Sequence, residues 1–400
     1  MKFLYYSIVL MMFTSCQNDQ TLVGERINLY GGSSRTSSYE QFGNFIASAS
    51  NNEKINSSDS SGSMIPPLAI SSYQTVIATV EGSIHQFTSA MVEWSAKLDD
   101  GAYVVAGMCL DDKHNVYAIA SDGCIYSIST EGKRRFRTQV APKESATFND
   151  ILASTDGIII SSTSGLISKI SIDGNIVWQY KTTLSPLGAP SSDPRNNIYI
   201  SLTHNDYTAN DSLLCLSPSG KIQWEIGFPT TRILTAPIVG KDNILVGVVI
   251  SGDIPIVHSI DFDGKLIWNK TLRATPRAIS IASDGSIITV SYNSGIGISQ
   301  SVIEQFTSKG ISEWNINFDS KITSPALIGK ENIALIGVKS SAIGVYLLQR
   351  NGVLDSFLSL DTAPSLILKP TVAPGMSIIF AVAEKGYITR VGAKRGLLPI

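Results

Sequence analysis

From residue 66 onward the chain alternates short apolar runs with clusters of glycine, aspartate, asparagine and proline, and it shows no helical periodicity of useful length. Residues 235–272 give the clearest unit. A small-residue stretch (T-A-P-I-V) leads to a K-D-N turn, an apolar run at 244–250, a loop around Gly252, a second run at 255–261, a D-G-K turn and a last run at 266–271. This pattern predicts four strands in one up-and-down sheet. The second run is almost continuously apolar, as expected of a strand covered on both faces. Comparable runs occur at 115–120, 157–161, 197–202, 286–291, 332–338 and 376–381.

The units keep a common phase. A turn glycine followed four residues later by tryptophan appears as Gly174/Trp178, Gly220/Trp224, Gly264/Trp268 and Gly310/Trp314. Weaker copies are Gly132/Phe136, Gly352/Ser356 and Ala90/Trp94. A recurrence in the forties predicts a radial array in place of separate domains. The last unit places Gly396 at the same anchor. The fold class is therefore all-β, a β-propeller of four-stranded blades, with eight blades expected and seven as the alternative. Ring closure calls for a strand from the N-terminal side, because an open sheet edge templates unwanted pairing. Asp-Gly and Asn-Gly pairs such as Asp122-Gly123, Asp173-Gly174 and Asn351-Gly352 supply hairpin turns that need positive φ. Asp261-Phe262-Asp263-Gly264 begins like a calcium loop but lacks its later oxygen ligands, so it reads as another hairpin.

The first fifteen residues form a third kind of sequence. Lys2 precedes an apolar run from Phe3 to Phe13 that is too short to span a bilayer, the pattern of a signal peptide. Its end, F-T-S-C, resembles a bacterial lipobox, which makes Cys16 the expected lipidation site, and Gln17 in place of aspartate then implies the outer membrane. Residues 16–65, rich in serine, asparagine and glycine, read as a flexible tether, and residues 66–400 as the propeller. With 400 residues, 43% hydrophobic, 16% charged and a net charge of −2, the chain carries no electrostatic case for nucleic acid. The basic triplet Lys133-Arg134-Arg135 reads as an exposed strand face. Cys109, Cys124 and Cys215 lack C-x-x-C spacing and read as buried free thiols, with a Cys109–Cys124 pair as the alternative.

The A-P steps near unit starts, D-G-C-I-Y at 122–126, N-N-I-Y-I at 196–200 and the G-x-x-x-W set together resemble the quinoprotein-type (PQQ-like) repeat over about 330 residues. That resemblance implies that Trp94, Phe136, Trp178, Trp224, Trp268 and Trp314 lock neighbouring blades. The cofactor does not follow from it. Quinoprotein dehydrogenases carry an adjacent cysteine pair and a calcium-binding set of carboxylates and amides, and neither can be placed here. No pyrroloquinoline quinone, no metal and no catalysis are expected, and His85, His114, His204 and His258 stand outside any hydrolase motif. A lipid-anchored propeller of this length resembles the PQQ-like lipoproteins of outer-membrane β-barrel assembly. The resemblance implies a scaffold that binds a protein partner at the cell envelope. The competing readings are a periplasmic or surface-exposed propeller that binds a glycan or other ligand, with Tyr207 and Tyr292 beside the longest loops as its candidate residues, and, more remotely, a quinoprotein-type dehydrogenase.

Overall fold

The computed structural model of the protein describes residues 49–54, 68–69, 74–78, 82–88, 91–143, 147–204, 210–250, 252–293, 300–339, 342–360, 371–373, 377–382 and 387–392. These residues form eight antiparallel sheets, numbered here as blades in chain order. Blade 1 runs from Leu68–Ala69 to Met91–Lys97, blade 2 from Val104–Leu110 to Arg134–Gln139, and blade 3 from Phe148–Ser154 to Ile176–Lys181. Blade 4 runs from Ser185–Ser192 to Ile222–Phe228, blade 5 from Thr231–Ile233 to Leu266–Thr271, and blade 6 from Thr275–Ile281 to Ser312–Phe318. Blade 7 runs from Lys321–Ile322 to Leu354–Leu360. Blade 8 combines Thr371–Ala373, Ser377–Val382 and Tyr387–Gly392 with Ala49–Lys54.

Eight sheets decide against the seven-bladed alternative. The ring closes through the chain's N-terminal side: Ala49–Lys54 pairs antiparallel with Tyr387–Gly392, with Ala49 opposite Gly392 and Lys54 opposite Tyr387. Part of the stretch expected to be tether is thus a strand, because the edge of the last sheet needs a partner for its backbone N–H and C=O groups.

The core is divided among the seams between blades. Along the second strand of blade 4, Ile198, Ile200 and Leu202 pack with Leu152, Ile159 and Ile167 of blade 3, while Tyr199 packs with Val246 and Ile260 of blade 5. Both faces of the strand are buried, which explains its unbroken apolar sequence. The same division places Cys109 in the seam with blade 3 and Cys124 in the seam with blade 1, so these thiols face opposite ways and form no disulfide with each other.

The glycine and aromatic signature joins successive blades at the rim. A methyl group built on Gly132, Gly174, Gly220, Gly264, Gly310 or Gly352 would meet the ring of Trp94, Phe136, Trp178, Trp224, Trp268 or Trp314, respectively, from the blade before. Each of these glycines has positive φ. The aromatics are half-buried, on outer strands that are otherwise largely exposed. Four indoles also donate to the carbonyl two residues ahead of the next blade's glycine: Trp178 to Pro218 (3.0 Å), Trp224 to Phe262 (2.9 Å), Trp268 to Ser308 (3.1 Å) and Trp314 to Arg350 (2.9 Å). Phe136 has no such donor. Its neighbour Arg135 reaches the equivalent carbonyl, Ile172 O, at 3.2 Å.

The basic stretch of blade 2 is therefore engaged. Arg134 and Arg137 bind Asp99 on the blade 1 to blade 2 connection at 2.5 and 2.9 Å, and Arg137 also binds Asp122 at 3.0 Å. Asp122 is held below the usual carboxylate range; burial pushes it up, but the Tyr126 hydroxyl, the Cys124 N–H and Arg137 outweigh that. Burial drives the Cys124 thiol to about 12.

A second repeated device shapes the first hairpin of blades 2 and 4. Asp111 accepts from the N–H groups of Lys113 and Asn115, the Asn115 amide and the Tyr117 hydroxyl, all at 2.8–2.9 Å. Asp193 does the same with Arg195, Asn197 and Tyr199 at 2.9–3.0 Å. The spacing D-x-x-x-N-x-Y encodes this loop, and His114 and Asn196 take positive φ at its tightest point.

The rim contact makes a direct prediction. Gly220→Ala forces a side chain into φ +78° and brings its Cβ within 2.5 Å of the Trp178 ring. We expect a loss of roughly 2–4 kcal/mol, from the left-handed backbone and overpacking together. Chemical denaturation measures it, and a loss under about 0.5 kcal/mol would contradict the assigned contact.

Candidate functional site

The innermost strands depart from regular pairing at one level of the ring. Register shifts lie between Phe148 and Asp150, Leu187 and Ser191, and Pro276 and Ala278, and in blades 5 and 7 the innermost strand divides into Thr231–Ile233 with Ile238–Val239 and Lys321–Ile322 with Leu327–Ile328. Bulges re-aim side chains and free backbone groups from the ladder. Here the affected residues surround the propeller axis.

In blades 4 to 7 the backbone donors at this level are accounted for. Ile233 N–H donates to Asp211 of blade 4 at 2.7 Å and Ile322 N–H to Ser301 of blade 6 at 2.8 Å. Pro186 and Pro276 hold the same register positions in blades 4 and 6, where a proline has no N–H to satisfy. Hydroxyls on one blade reach carbonyls of the next, as with Ser201 to Thr235 O at 3.0 Å and Ser191 to Pro237 O at 2.6 Å.

An axial cavity of about 250 Å³ results, lined by Leu187, Leu234, Ile279, Val290, Thr235 and Ser324 among others, with two charged groups, Asp150 and Arg277. It lies near the starts of the innermost strands, toward the face where the second strands end. Arg277 projects from the bulge after Pro276 and is exposed. Its guanidinium stands 5.7 Å from the centre of the Tyr292 ring, a cation–π arrangement that holds the fork in place. The Tyr292 hydroxyl donates to Ile322 O of blade 7. Burial pushes the Tyr292 phenol up, and the charge of Arg277 opposes that only in part. Asp150 is buried; its Oδ1 accepts the Ile151 N–H at 2.8 Å and lies against Gly107 of blade 2. The arrangement suits a small ligand with an apolar body and an anionic group for Arg277.

Of the residues singled out in the sequence, Tyr292 is in this cavity wall and reaches across a blade seam. Tyr207 and Cys16 lie outside the described residues. The tryptophans and Phe136 stand at the rim, away from the cavity. Arg277 and Asp150 were not legible in advance. The available signal was that Arg277 stands where blades 4 and 5 have Leu187 and Leu234, and Asp150 where they have Gly188 and Thr235, none of them charged. Among the described residues, no three of His, Cys, Asp and Glu gather as in a metal site.

A second surface lies on the outer rim. Just beyond the turn glycines, Ile176, Val177, Ile222, Leu266, Ile267, Ile311, Val353 and Leu354 are 42–62% exposed, an arc over blades 3 to 7. Lys133 and Arg134 take the corresponding places in blade 2.

No protein-family model matches the chain, and no curated protein matches it. Among solved structures, BamB from Moraxella catarrhalis superposes with a TM-score of 0.62 at 17% identity, covering 88% of this chain and 100% of that one. The chain shares its fold with BamB. A europium-containing methanol dehydrogenase superposes with a TM-score of 0.62 at 11% identity, covering 87% and 88%, and the Dos1 propeller with 0.60 at 12%, covering 88% and 96%. The likeness to BamB and to the dehydrogenase bears on the PQQ-like repeat; at these identities it establishes the propeller fold.

The Tyr292 environment predicts a pH effect. A phenol whose pKa is raised by folding contributes stability that is fully present below its unfolded value, about 10, and is lost as pH rises through the folded value. Relative to Tyr292→Phe, the wild-type protein should therefore lose stability above pH 10. Denaturation of the two proteins between pH 8 and 11 checks this, and a constant difference would refute it.

Proposed function

We propose that the protein is a non-catalytic propeller scaffold, anchored by lipid at Cys16, that holds a protein partner in the bacterial cell envelope. In its finer form the partner belongs to the outer-membrane β-barrel assembly machinery, the setting of BamB. The observation that carries the scaffold reading is the exposed aliphatic arc of blades 3 to 7. Exposed aliphatic residues repeated at one level of five successive outer strands, set beside lysines such as Lys221 and Lys265, support an interaction face. The likeness to BamB supports it, because it spans the whole of that chain. The turn glycines and rim aromatics serve the ring, which leaves the exposed aliphatic residues between them for recognition.

The axial cavity favours a second reading, a propeller that binds a small anionic ligand through Arg277 beside Tyr292. The two readings separate experimentally. Co-purification from detergent-solubilised membranes should recover a barrel-assembly subunit with the wild-type protein and at least about ten times less with the double variant Ile222→Asp and Leu266→Asp, with circular dichroism unchanged. Equal recovery by the variant would remove the arc from the interface. Failure to recover any such subunit, together with retained glycan-array binding, would replace the scaffold by the ligand-binding reading.

A further inference from the structure

The strand that completes blade 8 differs from the other outer strands at the positions that fasten an outer strand to its blade. In blades 2 to 7 the third-strand residue five places before the turn glycine faces Phe136, Trp178, Trp224, Trp268, Trp314 or Ser356. The residue seven places before it faces Thr138, Tyr180, Ile226, Lys270, Ile316 or Leu358. Except for Ser356, all of these are half-buried. In blade 8, Val391 pairs with Ile378 in the seam with blade 7, as Ile260 pairs with Ile244 in the seam between blades 4 and 5, so the corresponding third-strand residues are Arg390 and Ile388, and their partners are Asn51 and Glu53. The resident strand, A-S-N-N-E-K, brings neither an aromatic nor a β-branched residue to either place, and asparagine is among the poorest strand formers.

The neighbouring seam also lacks a rim aromatic among the described residues. Blade 7 has Ser356 where the preceding blades carry their rim aromatic, and Phe357 lies instead over Gly344 and Tyr346 of its own blade. Blade 8 thus receives no aromatic clasp from blade 7. Its edge is paired along the backbone from Ala49 to Lys54.

We propose that the Tyr387–Gly392 edge is an exchangeable strand site: an extended segment of another polypeptide, with an aromatic residue opposite Arg390 and a β-branched or aromatic residue opposite Ile388, displaces Ala49–Lys54 and completes blade 8 in its place. Exchange replaces backbone hydrogen bonds one for one, so the balance is set by the cross-strand side chains. The incoming segment has the pattern of the protein's own outer strands, whereas the resident strand does not. This inference deepens the scaffold reading and rests on it, since it names the surface and the kind of partner.

The probe is a fluorescein-labelled peptide with the blade 4 outer-strand sequence K-I-Q-W-E-I-G-F, residues 221–228, titrated against the full chain by fluorescence anisotropy. Opposed residues of an antiparallel pair have Cα atoms about 4.5–5.5 Å apart, within disulfide range. Asn51 and Arg390 are such a pair, so Asn51→Cys with Arg390→Cys staples the resident strand in place. The wild-type chain should bind the peptide, the oxidised staple at least about ten times more weakly, and reductant should restore binding. Asn51→Trp with Glu53→Ile, which gives the resident strand the missing residues, should likewise weaken peptide binding about tenfold or more. Peptide binding that is unchanged by the staple, or no binding by the wild-type chain, overturns the proposal. Either result leaves the membrane co-purification free to test the scaffold reading separately.

Discussion

A single blade cannot bury both of its own faces, and that constraint governs the rest of the structure. Each second strand is apolar on both sides, so each sheet is half of one seam and half of the next. Tyr199 and Ile200 are adjacent in the chain yet belong to different seams, one with blade 5 and the other with blade 3. Such sheets are stable only beside neighbours on both sides, and the arrangement ends only when the last blade meets the first. The small innermost residues, the prolines at Pro186 and Pro276 and the hydroxyl contacts near the axis follow from packing eight sheet edges around one line.

The rim shows how a periodic chemical signature becomes geometry. A glycine with positive φ makes the tight turn, its missing side chain leaves the seat for the preceding aromatic ring, and the carbonyl two residues ahead takes the indole N–H. Three requirements meet in two residues, which explains why Gly and Trp recur with fixed spacing while the residues between them vary. Where the aromatic is Phe136, Arg135 supplies the donor, so the bond persists although the residue that makes it has changed. The Lys133-Arg134-Arg135 stretch was read from sequence as an exposed face, and exposure alone described it incompletely.

Much of the architecture was legible because it repeats. The second strands read from continuous apolar runs coincide with those found, from Val116–Ala120 to Ser377–Val382, and the paired Asp261 and Asp263 belong to a hairpin between Ile254–Ile260 and Leu266–Thr271. What did not repeat was not legible. Ala49–Lys54 lies in a polar stretch with no strand signal of its own, and only the unpaired edge of Tyr387–Gly392 gives it a place. Arg277 and Asp150 come from different blades and meet at the axial cavity through ring closure, a relation that no local pattern carries. The aspartates of the D-x-x-x-N-x-Y loops were missed for another reason: their signature occurs in two blades, too few to stand out without knowing which atoms converge.

The central claim is that the seams couple the blades into one cooperative ring. Residue-resolved hydrogen exchange under native conditions tests it most directly, because local openings and global unfolding separate by their free energies. The account predicts that the second strands of blades 2 to 7 exchange with protection factors within about tenfold of one another, reporting one common opening. Second strands that exchange blade by blade, with protection differing by a thousandfold or more, would show units that fold on their own and would contradict it.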